Sequence, residues 1–407
     1  MSRGFLTLLG LVAGAGTGLA LEAVSADAAA LAVAICRPIG RLWLSALQMT
    51  VLPLVVSVLV VGVAEVADVA HMGRIARRTL AWIAGLSLAA ALVTVPLARA
   101  AFRVFPRSPD LTGILAQAAP PAETPANGWL TILPDNVVAA AADGAIAPVV
   151  VFTLLFGLAL AQLDAARRAP VIELARSVES AMTILIGWIL TAAAVGVFAL
   201  ALPLTATGGG RAIGELGGYV AVLIGVYALV TAATYVVVWT AGVGLRRFAA
   251  GALPAQSVAA GTQSSLASLP AMLRAAGDLG CPPAVGGLVL PLAVSLFRIT
   301  SPVQYLVIAE FIAWTQGVEL GWGSLVMLVP LAVVISLGSV GLPGQASFMG
   351  TTLPVVQAAG LPIEPLGLLL AVDVIPDVAA TVGNVTADLA LATRVAAAEH
   401  RLDIPRS

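Results

Sequence analysis

Cysteine and histidine are almost missing from this chain, and lysine is missing altogether. With only Cys36 and Cys281 present, no disulfide framework or thiolate metal cluster is indicated. The two histidines, His71 and His400, fall in polar, arginine-bearing segments near the ends of apolar runs, which argues against a histidine triad or metal site. All twenty basic residues are arginine, a bias of GC-rich bacterial coding sequence that carries no mechanistic weight. Charge is scarce as well. Only 10% of residues are charged and 60% are hydrophobic, whereas an ordinary soluble domain is about a quarter charged. The net charge of −1 points to no partner. No cofactor and no nucleic-acid partner is expected, and membrane lipid is the surrounding medium.

What is present is a series of apolar runs of membrane-spanning length. They cover Phe5–Leu21, Leu42–Val63, Leu80–Leu97, Ile146–Leu163, Ile184–Leu204 and Tyr219–Gly242. The first exceeds a signal-peptide core and is expected to be a retained helix. Pro106 to Pro134 is polar and proline-rich and reads as an aqueous loop. Arg74, Arg77, Arg78, Arg167, Arg168, Arg176, Arg246, Arg247, Arg394, Arg401 and Arg406 all land on one side if both termini are cytoplasmic. Arg99, Arg103 and Arg107 fall on the other side and do not fit.

After Arg247 the pattern changes, and charges enter apolar sequence. Ala371 to Leu389, AVDVIPDVAATVGNVTADL, holds Asp373, Asp377, Asn384 and Asp388. At about 100° per residue these share one helix face. Ionisable groups at membrane depth usually line an ion or substrate path. A water-exposed amphipathic face is disfavoured because the opposite face is apolar too. Two further segments break up. QSSLASLP at Gln263–Pro270 interrupts a stretch with room for two half-helices but not two spans, and SLGSVGLPGQA at Ser336–Ala346 interrupts the run from Leu325 to Val356. Broken helices at membrane depth line cavities and mark transporter sites.

These residues carry a family resemblance from about Leu42 to Arg394. TQSSLASLPAMLRAAGDLG at Thr262–Gly280, LPL at Leu290–Leu292, GSVGLPG at Gly338–Gly344 and NVTAD at Asn384–Asp388 follow the order and spacing of the glutamate transporter, or dicarboxylate/amino acid:cation symporter, family. The resemblance implies an all-α integral membrane protein with eight transmembrane helices, two re-entrant helical hairpins and an elevator mechanism. It implies a homotrimer in the bacterial cytoplasmic (inner) membrane. Residues 1–70 and 129–217 would form the scaffold, 71–105 and 218–398 the transport domain, 106–128 an extracellular loop and 399–407 a cytoplasmic tail. Ser264 and Ser265 would present backbone to a substrate carboxylate, with Asn384 as a side-chain donor. Asp377 would receive the amino group. Gly341 and Pro343 belong to the gating tip, and Asp388 matches a cation ligand, leaving Asn384 and Asp388 as residual cation ligands and no complete metal site.

The chain also departs from the family. The seventh-helix motif N-M-D-G-T is replaced by Phe297, Arg298, Ile299, Thr300 and Ser301. Ile83 and Leu86 occupy polar positions of the same sodium cage, with Ser87 retained. Hard cations need a closed set of oxygens, so multi-sodium coupling is not expected. Arg298 reads as a built-in cation, or as half of a structural salt bridge; a carboxylate partner is expected either way. Ala380 stands where acidic amino acid transporters hold an arginine, so Arg298 is the candidate for the substrate's side-chain carboxylate, or Ser301 and Thr381 face a neutral side chain. Asp373 and Glu310 are the carboxylates least tied to substrate and the candidates for proton coupling, with Glu310 alternatively facing water.

The expectation is a secondary-active transporter of acidic amino acids such as aspartate or glutamate, sodium-independent, with proton coupling or uncoupled exchange. A neutral amino acid or C4-dicarboxylate carrier, sodium symport through a residual site, and an anion channel remain as alternatives. An intramembrane hydrolase lacks its G-x-S-x-G elbow, and no histidine accompanies the serine runs; the protein is not expected to be an enzyme.

Overall fold

The computed structural model of the protein describes residues 3–71, 73–104, 133–338 and 344–402. Among them every regular element is helical, as backbone at membrane depth requires, because a helix satisfies its N–H and C=O groups within one segment. The first part comprises α1 (Arg3–Val24), α2 (Ala26–His71), α3 (Arg74–Val104), the short α4 (Val137–Ala142), α5 (Ile146–Ala161), α6 (Ala165–Ile189) and, after one 3-10 turn, α7 (Ala193–Thr240). The first hairpin is α8 (Leu245–Thr262) and α9 (Ser265–Asp278). Then come α10 (Pro283–Leu296), α11 (Thr300–Thr315), the second hairpin's arms α12 (Trp322–Gly338) and α13 (Gly344–Ala358), α14 (Pro365–Val372) and α15 (Val374–Leu402).

Seven helical segments are long and apolar enough to cross a membrane. Six account for expected spans one, two, three, five, six and eight; the seventh, Pro283–Thr315, is a single apolar stretch interrupted between α10 and α11. The expected fourth span is α5, whose 16 residues extend about 24 Å. Two boundaries differ from the hydropathy reading. Helix α2 begins sixteen residues before Leu42, because Ala26–Arg41 is alanine-rich and Pro38 alone does not end it. Helix α7 runs unbroken where a turn between spans five and six was expected. The glycine triplet there weakens a helix by about 1 kcal/mol per residue but removes no backbone donor.

Helix α3 is fixed at both ends. Arg74 Nη2 and Arg78 Nη1 donate to the two oxygens of Glu399 on α15 at 2.8 and 2.7 Å, and Arg394 lies 5.0 Å over the Trp82 ring. At the other end Arg99 Nε donates to both Glu310 oxygens at 3.0 Å, its Nη2 reaches the Leu320 carbonyl, and Arg103 meets Glu319 at 3.4 Å. Arg99 and Arg103, which fit the orientation rule poorly, thus have partners of their own. The contacts Arg78–Glu399 and Trp82–Arg394 show α3 and α15 antiparallel. Continued, that register brings Ser87 level with Asp388.

Helix α11 is buried along nearly its whole length, and Phe102, Tyr219, Phe311 and Trp314 cluster around it with ring centroids 5.1 to 5.9 Å apart. Helix α1 lies directly on the start of α7 through Gly10, Gly14 and Gly18. A Cβ at these positions would stand 2.3 Å from the Ala194 oxygen, 2.7 Å from the Phe198 oxygen and 2.1 Å from Thr205 Oγ1. Thr205 Oγ1 donates to the Ala15 carbonyl at 2.9 Å across the same seam. Small residues four apart let helix backbones approach in this way. Gly14→Leu is therefore expected to destabilise the detergent-solubilised protein by about 1–3 kcal/mol, the usual range for overpacking. Gly16→Leu, at a position with open space around it, is expected to leave the melting temperature within error; equal effects would contradict the seam.

Candidate functional site

The site is organised by the interruption between α10 and α11. Leu296 ends α10, Phe297 is extended at φ −109° and ψ 103°, and α11 starts at Thr300 with no capping side chain from its own segment. A helix start buried without partners leaves orphan N–H groups. Asn384 of α15 supplies the missing acceptor. Its Oδ1 accepts from Thr300 N at 3.1 Å and from Thr300 Oγ1 at 2.9 Å. Asn384 is 3% exposed and Thr300 2%, so this is a cap delivered from another helix. Gly383 permits it: a Cβ there would meet Thr231 Oγ1 at 2.7 Å and Thr300 Cγ2 at 2.9 Å.

The first hairpin turns at Gln263, the one non-glycine residue with positive φ (50°) among the described residues. Its Nε2 donates to the Val374 carbonyl at 3.1 Å, which fixes the tip beside the start of α15. Ser264 then caps α9, its hydroxyl accepting from Ala267 N at 3.2 Å. Ser265 is the first residue of α9, where backbone N–H groups lack intrahelical acceptors. The hairpin expected at QSSLASLP is thus present, with Gln263 at its tip bonded to the start of the aspartate-bearing helix.

On that helix the expected stripe is continuous from Asp377 to Asp388 within α15, while Asp373 is the single residue between α14 and α15. Asp377 N donates to the Asp373 carbonyl at 2.9 Å. Asp377 is half-buried. Asp373 is buried and accepts from Gln304 Nε2 at 2.6 Å. Asp388 is 0% exposed, and neither of its oxygens has a partner among the described residues; the Ser87 hydroxyl is likewise buried and unpartnered. Thr381 Oγ1 donates to the Asp377 carbonyl at 2.9 Å, so its hydroxyl is turned onto its own helix. Ser301 N donates to the Arg298 carbonyl at 2.9 Å.

Arg298 stands in the unwound link between α10 and α11. The expected carboxylate partner is not found among the described residues. Its Nη1 donates instead to Ser347 Oγ of α13 at 3.3 Å. The guanidinium is only half-buried, so it does not need a contact ion pair. Glu310 lies elsewhere, at the Arg99 end of α3, and is neither a free carboxylate nor water-facing: it is 5% exposed and ion-paired at 2.9 Å. Gly341 and Pro343 lie outside the described residues. The positions expected to have lost their sodium oxygens are filled with hydrocarbon, for Phe297, Ile299 and Ile83 are 1%, 3% and 1% exposed.

Among the described residues, α15 thus brings together the interruption between α10 and α11 and the tip of the first hairpin. Residues 4–398 match the Sodium:dicarboxylate symporter family. The chain belongs to that family. Within it, the chain is 29% identical over 391 residues to the proton/glutamate-aspartate symporter of Escherichia coli (strain K12), covering 92% of this chain and 87% of that one. It is 27% identical over 380 residues to the C4-dicarboxylate transport protein of Rhizobium johnstonii, covering 90% and 84%. A proton/sodium-glutamate symport protein of Bacillus subtilis (strain 168) is 28% identical over 361 residues, covering 86% and 83%. The protein is therefore a multi-pass membrane transporter and not an enzyme.

Sequence reading overlooked Gln263, Gly383, Gln304 and Ser347. Gln263 sits inside the first-hairpin motif and Gly383 immediately before NVTAD, and a glycine next to the key asparagine was the available signal. Gln304 is the one amide in apolar α11, a position worth marking for that reason. Gly383→Ala is expected to drive α15 away from Thr231 and Thr300, lowering both melting temperature and substrate affinity. Adding Thr231→Ala removes one of the two close contacts and should restore part of each loss, as a thermal melt and a binding titration on the double variant would show.

Proposed function

We propose that this symporter-family member carries acidic amino acids, L-aspartate and L-glutamate being the test substrates, without using sodium. The observation that carries the reading is Arg298, a permanent positive charge in the unwound link, flanked in the chain by the buried hydrocarbon of Phe297 and Ile299. The substrate carboxylate meets the free N–H groups at the start of α9, from Ser265 onward, with Ser264 shaping that start. Asp377, half-buried on the stripe, receives the ammonium. Arg298 faces the second carboxylate, with Ser301 and Thr381 nearby. Asn384 holds the link in place through Thr300.

Asp377 favours an amino acid over a plain dicarboxylate, because a carboxylate there repels a second anion. The relatives' names include both classes, and one names the proton alone as the coupled ion. Asp388, the residual cation ligand beside Asn384, has no oxygen cage left around it. A bare carboxylate in an apolar core is strongly disfavoured, and protonation meets that need where sodium coordination does not. The protein would work as a homotrimer in the bacterial inner membrane with both termini cytoplasmic, in keeping with most of the arginine positions. Residues 1–70 and 129–217 would serve as scaffold and 71–105 with 218–398 as the moving domain. The ion pairs binding α3 to α11 and α15 support placing those three together.

In proteoliposomes, uptake of L-aspartate is expected to be equal within about twofold when potassium replaces sodium, a difference below 0.5 kcal/mol. Strict sodium dependence would refute the reading. Arg298→Met is expected to weaken aspartate binding by roughly tenfold to a hundredfold, the range for losing one charged hydrogen-bond partner. A thermal-shift panel of aspartate, succinate and neutral amino acids separates the substrate classes, since the ligand that binds raises the melting temperature.

A further inference from the structure

Glu310, Glu399, Asp373 and Asp388 are buried at 5%, 8%, 9% and 0% exposure, and they differ in what faces them. Glu310 takes Arg99, and Glu399 takes Arg74 and Arg78. A guanidinium only donates and stays charged, so each of these two acids faces a partner that can bond only its carboxylate form. Asp388 has no partner for either oxygen among the described residues. Asp373 alone is matched to a neutral amide, Gln304 Nε2 at 2.6 Å. An amide offers both a donor and an acceptor end. Its NH2 group donates to a carboxylate, and after a half-turn its oxygen accepts from a carboxylic acid. Both charge states of Asp373 are therefore satisfied by the same side chain.

We propose that Asp373 and Gln304 form the exchangeable proton site of the transport cycle; this rests on the acidic amino acid reading above. Asp373 is the one residue between α14 and α15, and its carbonyl accepts the Asp377 N–H, so the site is one helical turn from the substrate's ammonium partner. The charged and titratable groups acting on it are Asp377 from α15, Arg298 from the α10–α11 link, and Tyr219 and Tyr227 from α7. The Tyr219 hydroxyl is buried without a partner, a further polar group in the same field. Asp377 and Asp373 repel when both are ionised, and Arg298 offsets one charge, not two. An acidic amino acid brings two carboxylates and one ammonium. Its net negative charge favours the protonated form of Asp373, so proton and substrate load together. The step is simple: a proton from water on one side adds to a carboxylate oxygen, Gln304 turns to accept the new O–H, and the proton leaves to water on the other side.

The test uses the full-length protein in liposomes with radiolabelled L-aspartate. Wild-type protein should accumulate aspartate under an inward proton gradient of about one pH unit by up to roughly tenfold, the limit for one proton per substrate. Asp373→Asn should lose that accumulation to the gradient-free level while aspartate homoexchange persists. Gln304→Met, of similar volume, removes a bond that is stronger to the carboxylate than to the acid, and should raise the half-maximal pH of uptake by about one unit. Full gradient-driven accumulation by Asp373→Asn, or an unmoved pH profile in Gln304→Met, overturns the assignment. If Asp373→Asn does not fold, the Gln304→Met profile decides. Wild-type protein that exchanges no aspartate at all refutes the substrate reading instead, and the gradient test is then run with the panel compound that raises its melting temperature.

Discussion

One hydrogen-bonded cap, Asn384 to Thr300, holds the centre of this molecule together. Opening a helix at membrane depth exposes backbone amides that no water satisfies. Here the start of α11 is closed by a side chain from α15, and the two helices are locked in register by that bond. Gly383 follows from the same demand, because only a residue without Cβ lets α15 come close enough to Thr231 and Thr300. The position of Arg298 depends on the cap too. The guanidinium hangs from the unwound link, so whatever fixes Thr300 also fixes the internal cation relative to the aspartates.

Around this centre, charge is arranged in two ways. At the ends of α3, arginines meet glutamates directly, in short ion pairs with one buried and one more exposed partner. These contacts tie α3 to α15 and α11 near the level where water begins. In the middle, the aspartates have no arginine in contact, only Arg298 at longer range and, for Asp373, an amide. Close pairing at the ends gives fixed charge and rigidity. Looser pairing in the middle leaves charge that a ligand can still influence. By its contact with Arg99, Glu310 groups with the paired acids at the ends.

Much of this was legible in the sequence because the relevant signals are local. The stripe from Asp377 to Asp388 needed only helical periodicity and the first hairpin only its serines and its length, whereas the interruption between α10 and α11 was not among the expected breaks. The glycine seam was equally visible, with Gly10, Gly14 and Gly18 spaced four apart, but small residues are common in membrane helices and the partner α7 is almost two hundred residues away. What could not be read was pairing across such separations. Nothing near Glu310 in the chain announces Arg99, and nothing near Arg298 announces Ser347. The carboxylate expected for Arg298 was inferred from the expense of full burial, yet the side chain is only half-buried. Hydropathy also misjudged α2 and α7, since it measures the apolar core of a span and not where the helix stops.

The choice of partner for a buried acid carries mechanistic weight that burial alone does not. Glu310 and Asp373 are nearly equally buried, so exposure cannot distinguish their roles. Arginine against a carboxylate stabilises one charge state and opposes the other, and the bond becomes a strut. Glutamine against a carboxylate can bond to either state, provided it can turn, although more strongly to the ionised one. Where phenyl and sec-butyl groups stand in place of oxygens, the sodium-free coupling proposed above needs another exchangeable positive charge, and Arg298 is not one, because it never leaves. Among the described residues, a buried acid whose amide neighbour can bond both its forms occurs at the junction of α14 and α15.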